Sequence, residues 1–514
     1  MDSITGDMAS TDQVLGRWSA GVRSALVGLA VFLLAWFLMF LRRPRNLPPG
    51  PRGWPVLGCL PQMARAVLID KQVPHEFLSK LSGRYGDVMS LYLAGKLVVV
   101  ISKNTTMREA FGQQQLSSRP EFHVAKVEFP GRGVFAASGT MWLELRRFSL
   151  TVLRGLGVGK LSFEENISTE AKYLTDSLRE DHGAPIDPTH PLNNALSNVI
   201  CTVVFGKRFE YSDEMFKNLL RHTSSVTHDA GPGLFVEILP AAFAKLQVFP
   251  FVRTYIQAIR NFYSHISALI KEHEETCDTE EPRDFIDEFV KACKTREKQG
   301  VASVGLTPVN LLRSVGDLFI AGTETSATTL RWGLLYMMAY PEIQTRIQQE
   351  LDAVTGRNRL PVLSDKAYLS YTEATICEIQ RISTILPLSA PHYCAEKTTI
   401  SGYNIPKGTF VLANLWHSHF DPSVWAEPRE FRPERFLDED GKLRHRDEFI
   451  PFGNGRRVCL GENLAKMELF IFFTHLLHHF TFKKPRHAPP ISFKGDLGVT
   501  WAPADYTMCA IARE

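Results

Sequence analysis

An uncharged and almost wholly apolar run, SALVGLAVFLLAWFLMFL from Ser24 to Leu41, is the strongest single constraint on what this chain can fold into. As a helix it spans roughly 27 Å at about 1.5 Å per residue, close to the hydrocarbon thickness of a bilayer. Arg17 and Arg23 precede it, whereas Arg42, Arg43, Arg45 and Arg52 follow, so the larger positive excess holds the C-terminal side in the cytosol. A cleaved leader would carry a shorter apolar core ending in small residues. Here Trp36, Phe37 and Phe40 run straight into arginines, which favours an uncleaved anchor. The sequence therefore predicts a short N-terminal stretch (1–23), an anchor (24–41), a basic and Pro-rich hinge (42–58) and one large body (59–514). Pro48, Pro49, Pro51 and Pro55 fix φ in that hinge and favour an extended spacer. In this topology the sequons at Asn104 and Asn166 stay silent.

Beyond the anchor the composition is that of a globular protein, 44% hydrophobic and 22% charged, which excludes general disorder. A formal charge of +3 on 514 residues gives no reason to expect nucleic acid. The eight cysteines, at positions 59, 201, 277, 293, 377, 394, 459 and 509, form no C-x-x-C pair and no close ladder. They read as reduced thiols of a cytosolic body, not as a disulfide frame or structural zinc site. Alternation across an Ala-Gly turn predicts a hairpin over Val88–Ser102, and a second small sheet is expected around Thr398–Asn414. Helical periodicity dominates elsewhere: Ser168–Arg179, Pro191–Val204, Tyr255–Glu275, Asp284–Thr295 and Pro308–Tyr340. A Pro-rich, charged meander fills Asp421–Phe452.

The longest of these helices starts well, with Thr307 as a cap and Pro308 at the first helical position, and Pro341 stops it. Its middle reads AGTETSATT, Ala321 to Thr329. Gly322 costs about 1 kcal/mol against Ala in a helix, and a buried helix does not ordinarily collect Thr323, Glu324, Thr325, Ser326, Thr328 and Thr329. Hydroxyls bonded back to carbonyls a turn earlier would bend the helix and open a polar notch. A kinked core helix with satisfied hydroxyls gives the same pattern.

Near the C-terminus stands FGNGRRVCLG, Phe452 to Gly461, followed by helical periodicity over Leu460–Phe480. Gly455 permits a tight turn and Gly461 permits close approach of a flat ligand or a second backbone. The start of the helix favours a thiolate at Cys459, hence a nucleophilic or metal-binding sulfur. Phe452, Gly455, Arg457, Cys459 and Gly461 match the haem-thiolate signature, and the chain resembles the cytochrome P450 family from anchor to C-terminus. The likeness is to the microsomal animal branch that hydroxylates drugs, steroids and fatty acids, through PPGP, LRGLGVGK, PERF and the cysteine loop.

That resemblance implies a mainly α fold with small β-sheets, haem b as cofactor, Cys459 as the iron ligand and Phe452 and Gly461 beside it. Trp142 and Arg146 in WLELR lie one helical turn apart and offer two donors on one face. The resemblance places them, with His392 and Arg457, on the haem propionates. Glu378, Arg381 and Arg435 become a structural cluster bracing the meander. AGTET becomes the oxygen-activation motif, with Ala321 and Gly322 leaving room above the iron and Glu324 and Thr325 as an acid–alcohol pair for proton delivery.

Other function classes fit less well. His475, His478 and His479 in HLLHH have helical spacing but no Glu between them as in H-E-x-x-H, so a zinc hydrolase is disfavoured and surface histidines are expected. A haem protein without turnover, or a reductant-independent isomerase, leaves Glu324 and Thr325 without a task. GLGVGK, Gly155 to Lys160, is neither a dinucleotide fingerprint nor a Walker loop, so electrons must come from a partner. The resemblance implies the membrane-bound NADPH-dependent reductase, with cytochrome b5 as a second donor, at the endoplasmic reticulum. Arg146, Arg147, Arg154, Lys160, Arg444, Arg446 and Arg456 are candidates for its basic docking surface. Substrate-wall candidates are Phe122, Val124, Val127, Phe129 and Phe135 in the variable stretch, with Phe319, Ile385, Leu388, Leu497 and Val499. Such walls suit a small apolar molecule with few polar contacts.

Overall fold

The computed structural model describes residues 21–22, 24–32, 34, 44–121, 131–228, 250–278 and 280–513. Residues 24–32 are helical and exposed, and among the described residues no helix is long and apolar enough to cross a membrane. The rest of the expected anchor lies outside the described residues. The Pro-rich segment does not stand free as a spacer: Ser90 N–H donates to Pro49 O at 2.8 Å and Ser90 Oγ to Pro48 O at 2.6 Å. From Pro48 onward it is stitched to the first strand of the body, because extended proline carbonyls remain available as acceptors.

Among the described residues beyond 44, fifteen helices, labelled α1 to α15, carry most of the body. They are α1 (Leu60–Leu68), α2 (Pro74–Tyr85), α3 (Asn104–Gly112), α4 (Gly133–Ala136), α5 (Gly139–Gly155), α6 (Glu164–Glu180), α7 (Thr189–Phe205) and α8 (Glu214–His228). Then follow α9 (Pro250–Thr276), α10 (Phe285–Lys298), α11 (Pro308–Ala339), α12 (Pro341–Thr355), α13 (Ser370–Ser383), α14 (Leu415–His419) and α15 (Glu462–His479). Thr307 caps α11 by accepting from Asn310 N–H, and Asp284 caps α10 by accepting from Ile286 and Asp287 N–H, so both starts follow from the side chain preceding the helix. α11 is about 48 Å long and packs against α7, α9, α13 and α15. α15 is buried on every side through Phe470, Ile471, Phe472 and Phe473, as expected of a helix that is apolar all round.

The strands are β1 (Val88–Leu93), β2 (Lys96–Ile101), β3 (Pro185–Ile186), β4 (His392–Tyr393), β5 (Thr398–Ile400), β6 (Tyr403–Ile405), β7 (Phe410–Ala413), β8 (Phe480–Lys483), β9 (Gly495–Leu497), β10 (Trp501–Pro503) and β11 (Met508–Ala512). β1 and β2 form the expected hairpin, Val88 opposite Ile101 and Leu93 opposite Lys96. The second expected sheet divides. β5 and β6 pair with each other, but β7 runs parallel to β2, Val98 opposite Phe410, giving the order β1-β2-β7-β4. Val99, Val100 and Val411 are fully buried there, so hydrophobic burial recruits β7 across some 300 residues of sequence. The C-terminal strands make a three-stranded sheet, β3-β11-β8, and the β9–β10 hairpin. All eight cysteines are free.

Candidate active site

The cysteine loop is a tight structure before it is a chemical one. Cys459 N–H donates to Phe452 O at 3.1 Å, Val458 N–H to Gly455 O at 3.2 Å, and Gly455 takes φ +75°. A Cβ on Gly455 would lie 2.3 Å from Phe111 O, so only glycine lets the loop pass α3. Gly461 caps α15, its N–H reaches the Cys459 sulfur, and the space where its Cβ would stand is open to 4 Å. Cys459 is itself exposed. Desolvation by the surrounding protein pushes the Cys459 thiol up, and the Gly461 N–H and the Arg146 charge oppose this.

Beside the loop the structure gathers a cationic group. Arg457 Nε donates to Ser117 O at 2.7 Å, Arg146 Nη2 to Val458 O at 2.8 Å, and Arg119 Nη1 to Ala390 O and Pro391 O, both at 2.8 Å. The Arg457 guanidinium lies 4.1 Å from the centroid of the buried Trp142 ring, and Trp142 and Arg146 share one face of α5. His392 is buried, stacks on Phe111 at 4.1 Å and pairs its Nδ1 with Leu116 O at 2.7 Å. Burial and the Arg119 and Arg457 charges hold it down at about 3, so it is neutral, with Nδ1–H donating and Nε2 left as an acceptor.

α11 carries the notch. Thr325 Oγ1 donates back to Ala321 O at 2.7 Å and Thr329 Oγ1 to Thr325 O at 2.9 Å, while Ala321 is exposed and Glu324 and Thr325 are half-buried. Gly322 serves a different purpose from the one expected: its Cβ would lie 3.0 Å from Ile200 Cγ1, so it lets α7 approach α11 closely and does not face the open side. Immediately after the notch Ser326 Oγ meets Glu468 Oε2 at 2.6 Å. Glu468 is 1% exposed, its Oε1 has no partner, and burial pushes it up to about 8.

The comparisons with known proteins bear on this arrangement. The family model for Cytochrome P450 matches residues 48–510. The chain is 39% identical to Cytochrome P450 2U1 of Bos taurus over 504 residues, covering 94% of this chain and 92% of that protein. It is 39% identical to Cytochrome P450 2J2 of Homo sapiens (96% of each) and 38% identical to Cytochrome P450 2J1 of Oryctolagus cuniculus (98% and 100%). The chain belongs to the cytochrome P450 family. It is accordingly an oxidoreductase of the haem-thiolate monooxygenase class, and its cofactor is haem b.

The residues present fit that cofactor. Arg119 Nε is buried without a hydrogen-bond partner, and the described hydrogen bonds of the Arg119, Arg146 and Arg457 guanidinium groups all go to carbonyl oxygens, none to a carboxylate. Burial and the Arg119 and Arg146 charges push the Arg457 guanidinium well down from its ordinary value. Arginine keeps its proton, so the cluster calls for a counter-anion, and the two propionates of haem b have the right charge. Arg119 had no sequence signal of its own, being a lone arginine before a variable stretch.

Behind the P450 loop, Glu378, Arg381 and Arg435 come together in the interior. Arg381 donates twice to Glu378, at 2.7 and 2.8 Å, and Arg435 Nε donates to Glu378 Oε1 at 3.2 Å. Their remaining donors reach the carbonyl of His419 at the end of α14 and the meander carbonyls of Ala426, Glu427, Pro428 and Glu430. Glu378 and Arg381 are fully buried, which makes this an ion network whose members depend on one another.

Several expected placements need correction. Phe319 is fully buried against Phe205 and Phe262, on the face of α11 that packs α7 and α9, and is core rather than substrate wall. Phe122, Val124, Val127 and Phe129 lie outside the described residues. Phe135 is 45% and Val499 40% exposed; Ile385, Leu388 and Leu497 are half-buried, and Leu388 also packs on the first sheet. His475 and His478 are buried, not on the surface, with Nε2 on Pro361 O and Gly356 O, each at 3.0 Å. Of the basic residues, Arg147, Arg154, Lys160, Arg444 and Arg456 are exposed, but Arg146 is turned to Val458 and Arg446 lies 4.4 Å over the Trp425 ring with Nη2 on Val424 O.

Proposed function

We propose that this P450 inserts one oxygen atom into a small apolar substrate, a fatty acid, steroid or foreign compound, with electrons from NADPH delivered by the membrane-bound NADPH–cytochrome P450 reductase and with cytochrome b5 as a second donor. The balance is substrate C–H plus O2, NADPH and a proton giving the alcohol, water and NADP+. The observation that supports the substrate class is that two large apolar side chains stand exposed near α11, Val499 next to the Thr500 that bonds Glu324 and Phe135 beside Asp317 and Arg457. Phe135 is held there from α11, since Asp317 Oδ2 accepts from its N–H at 3.0 Å, and Arg457 donates to its carbonyl at 3.2 Å.

Bound haem would supply oxygen activation, with Cys459 as the expected ligand and Arg119, Trp142, Arg146 and Arg457 holding the propionates; His392 would join them by taking up a second proton at Nε2 once that negative charge is beside it. The protein's own task is then to orient an apolar molecule, limit water and move protons. Thr325 Oγ1, at the open side of α11, is positioned to hold a proton-donating water; Glu324 resupplies it. Reductase docking falls to Arg147, Arg154, Lys160, Arg444 and Arg456, where complementary charge chiefly raises encounter rate. The apolar run 24–41 anchors the body on the cytosolic face of the endoplasmic reticulum; the exposed Leu26, Val27, Leu29, Val31 and Phe32 on its described helical part support this.

The test is a screen of fatty acids, steroids and drug-like compounds for the optical shift that accompanies loss of iron-bound water, followed by turnover with reductase and NADPH. A substrate should give NADPH-dependent hydroxylated product carrying label from 18O2. Product formed without NADPH would favour the isomerase alternative, and no product from any shifting ligand a non-catalytic haem protein.

A further inference from the structure

Glu324 and Thr325 are neighbours in sequence, but in the structure each is engaged elsewhere. Glu324 Oε1 accepts from Thr500 Oγ1 at 3.0 Å and from Thr328 Oγ1 at 3.2 Å. Its Oε2 faces Thr227 Oγ1 at 3.4 Å, a hydroxyl that also reaches Ser224 O at 3.2 Å. Thr325 Oγ1 is meanwhile committed to Ala321 O. The three threonines around the carboxylate are 1–2% exposed. No cation appears among its described partners, so hydroxyls alone stand in for its water.

Two of those hydroxyls come from outside α11. Thr227 lies in the last turn of α8, and Thr500 sits between β9 and β10. The two elements are tied to each other, since Val499 N–H donates to Thr227 O at 2.9 Å, and the turn itself is closed by Gly498 N–H on Thr500 O, also at 2.9 Å. The hairpin is also fixed to a second wall, with Trp501 N–H on Ile385 O at 2.7 Å. Val499, next to the latching threonine, is one of the exposed apolar side chains beside the notch. A ligand seated there would press on the hairpin one residue away from the contact that holds the carboxylate.

We propose that Thr500, backed by Thr227, is a positioning residue that latches Glu324 to the C-terminal hairpin, and that an apolar substrate pushing on Val499 releases the carboxylate toward Thr325. Proton delivery then begins when the pocket fills. This rests on the reading of Glu324 and Thr325 as the proton relay. With the latch removed, the relay runs without substrate, and the electrons are lost as NADPH plus a proton plus O2 giving NADP+ and hydrogen peroxide.

The experiment uses the full-length holoenzyme, reconstituted with reductase and free of substrate. Thr500→Val keeps the shape and removes the hydroxyl; Thr500→Ser keeps the hydroxyl. The expected results are a roughly three- to tenfold rise in NADPH-driven peroxide formation for T500V, a return to the parent rate for T500S, and faster hydrogen exchange over residues 495–503 in T500V. The carbon monoxide difference spectrum checks that each variant holds haem. An unchanged peroxide rate in T500V, or a rise that T500S shares, would overturn the latch whatever the exchange data show. Glu324→Gln separates the two layers. If E324Q leaves NADPH consumption unaltered, the relay reading itself fails; if E324Q slows consumption but the T500V increment persists in the double variant, only the latch fails.

Discussion

Replacing Glu468 by glutamine probes the charge carried inside the fold. Its carboxyl is 1% exposed, Ser326 is the partner of Oε2, Oε1 has none, and burial raises the group from an ordinary 4.5 to about 8. Below about 4.5 the folded and unfolded chains both hold the proton, and the residue adds no pH dependence. Between about 4.5 and about 8 the folded chain keeps a proton that the unfolded chain has lost. Stability therefore falls as pH rises across that window, by about 1.4 kcal/mol for each pH unit. Above about 8 the loss levels off at a total on the order of 5 kcal/mol. Glutamine preserves the shape and can still donate to and accept from Ser326, but it has no proton to lose. Thermal unfolding of the full chain, followed by circular dichroism at one scan rate and several pH values, should find E468Q level with the parent near the acid end and increasingly more stable toward the alkaline end. Parallel pH curves for the two proteins would refute the buried neutral acid. A parent that gains on E468Q as pH rises would show that the folded chain holds a carboxylate there.

Removing Glu378 leaves Arg381 and Arg435 buried with no counter-charge, so Glu378→Ala should destabilise the fold by about 3–5 kcal/mol and yield little haem-loaded protein, read as holoprotein content after purification. Arg119→Ala should loosen haem retention by removing one of three cations from the propionate cluster; faster transfer of haem to apomyoglobin measures it, and Arg119→Lys should recover only part because a point charge replaces a planar fork. Thr325→Ala should lower the yield of product per NADPH without abolishing NADPH oxidation, and an unchanged ratio would remove Thr325 from the proton path.

What the sequence made readable was local or motif-borne. Thr307, Pro308 and Pro341 mark the ends of α11 because capping and missing N–H groups act within a turn. The cysteine loop is legible because Gly455 is demanded by backbone geometry and Arg457, Cys459 and Gly461 stand at fixed offsets from it. Glu378 and Arg381 are readable as an i,i+3 pair, though their burial is not. Side-chain direction was the weak point: periodicity alone does not set which way Gly322 and Phe319 face, and both turn toward α7 instead of the open side. Long-range partners were invisible. Arg119, Thr227, Thr500 and Glu468 meet the site only through folding, across separations of 97 to 176 residues in the case of Glu324 and its two distant threonines. Glu468 did leave a trace, a carboxylate set in the apolar run MELFIFF, where burial without a charge partner is implied by its neighbours.

Every functional statement depends on Cys459 giving its sulfur to the iron of haem b. The decisive measurement is the carbon monoxide difference spectrum of the reduced, full-length protein, alongside Cys459→Ser. Thiolate ligation predicts a long-wavelength Soret band in the parent and its loss in the serine variant. A parent that shows only the short-wavelength band under conditions where the fold is intact, or a serine variant that keeps the long-wavelength one, would contradict the assignment.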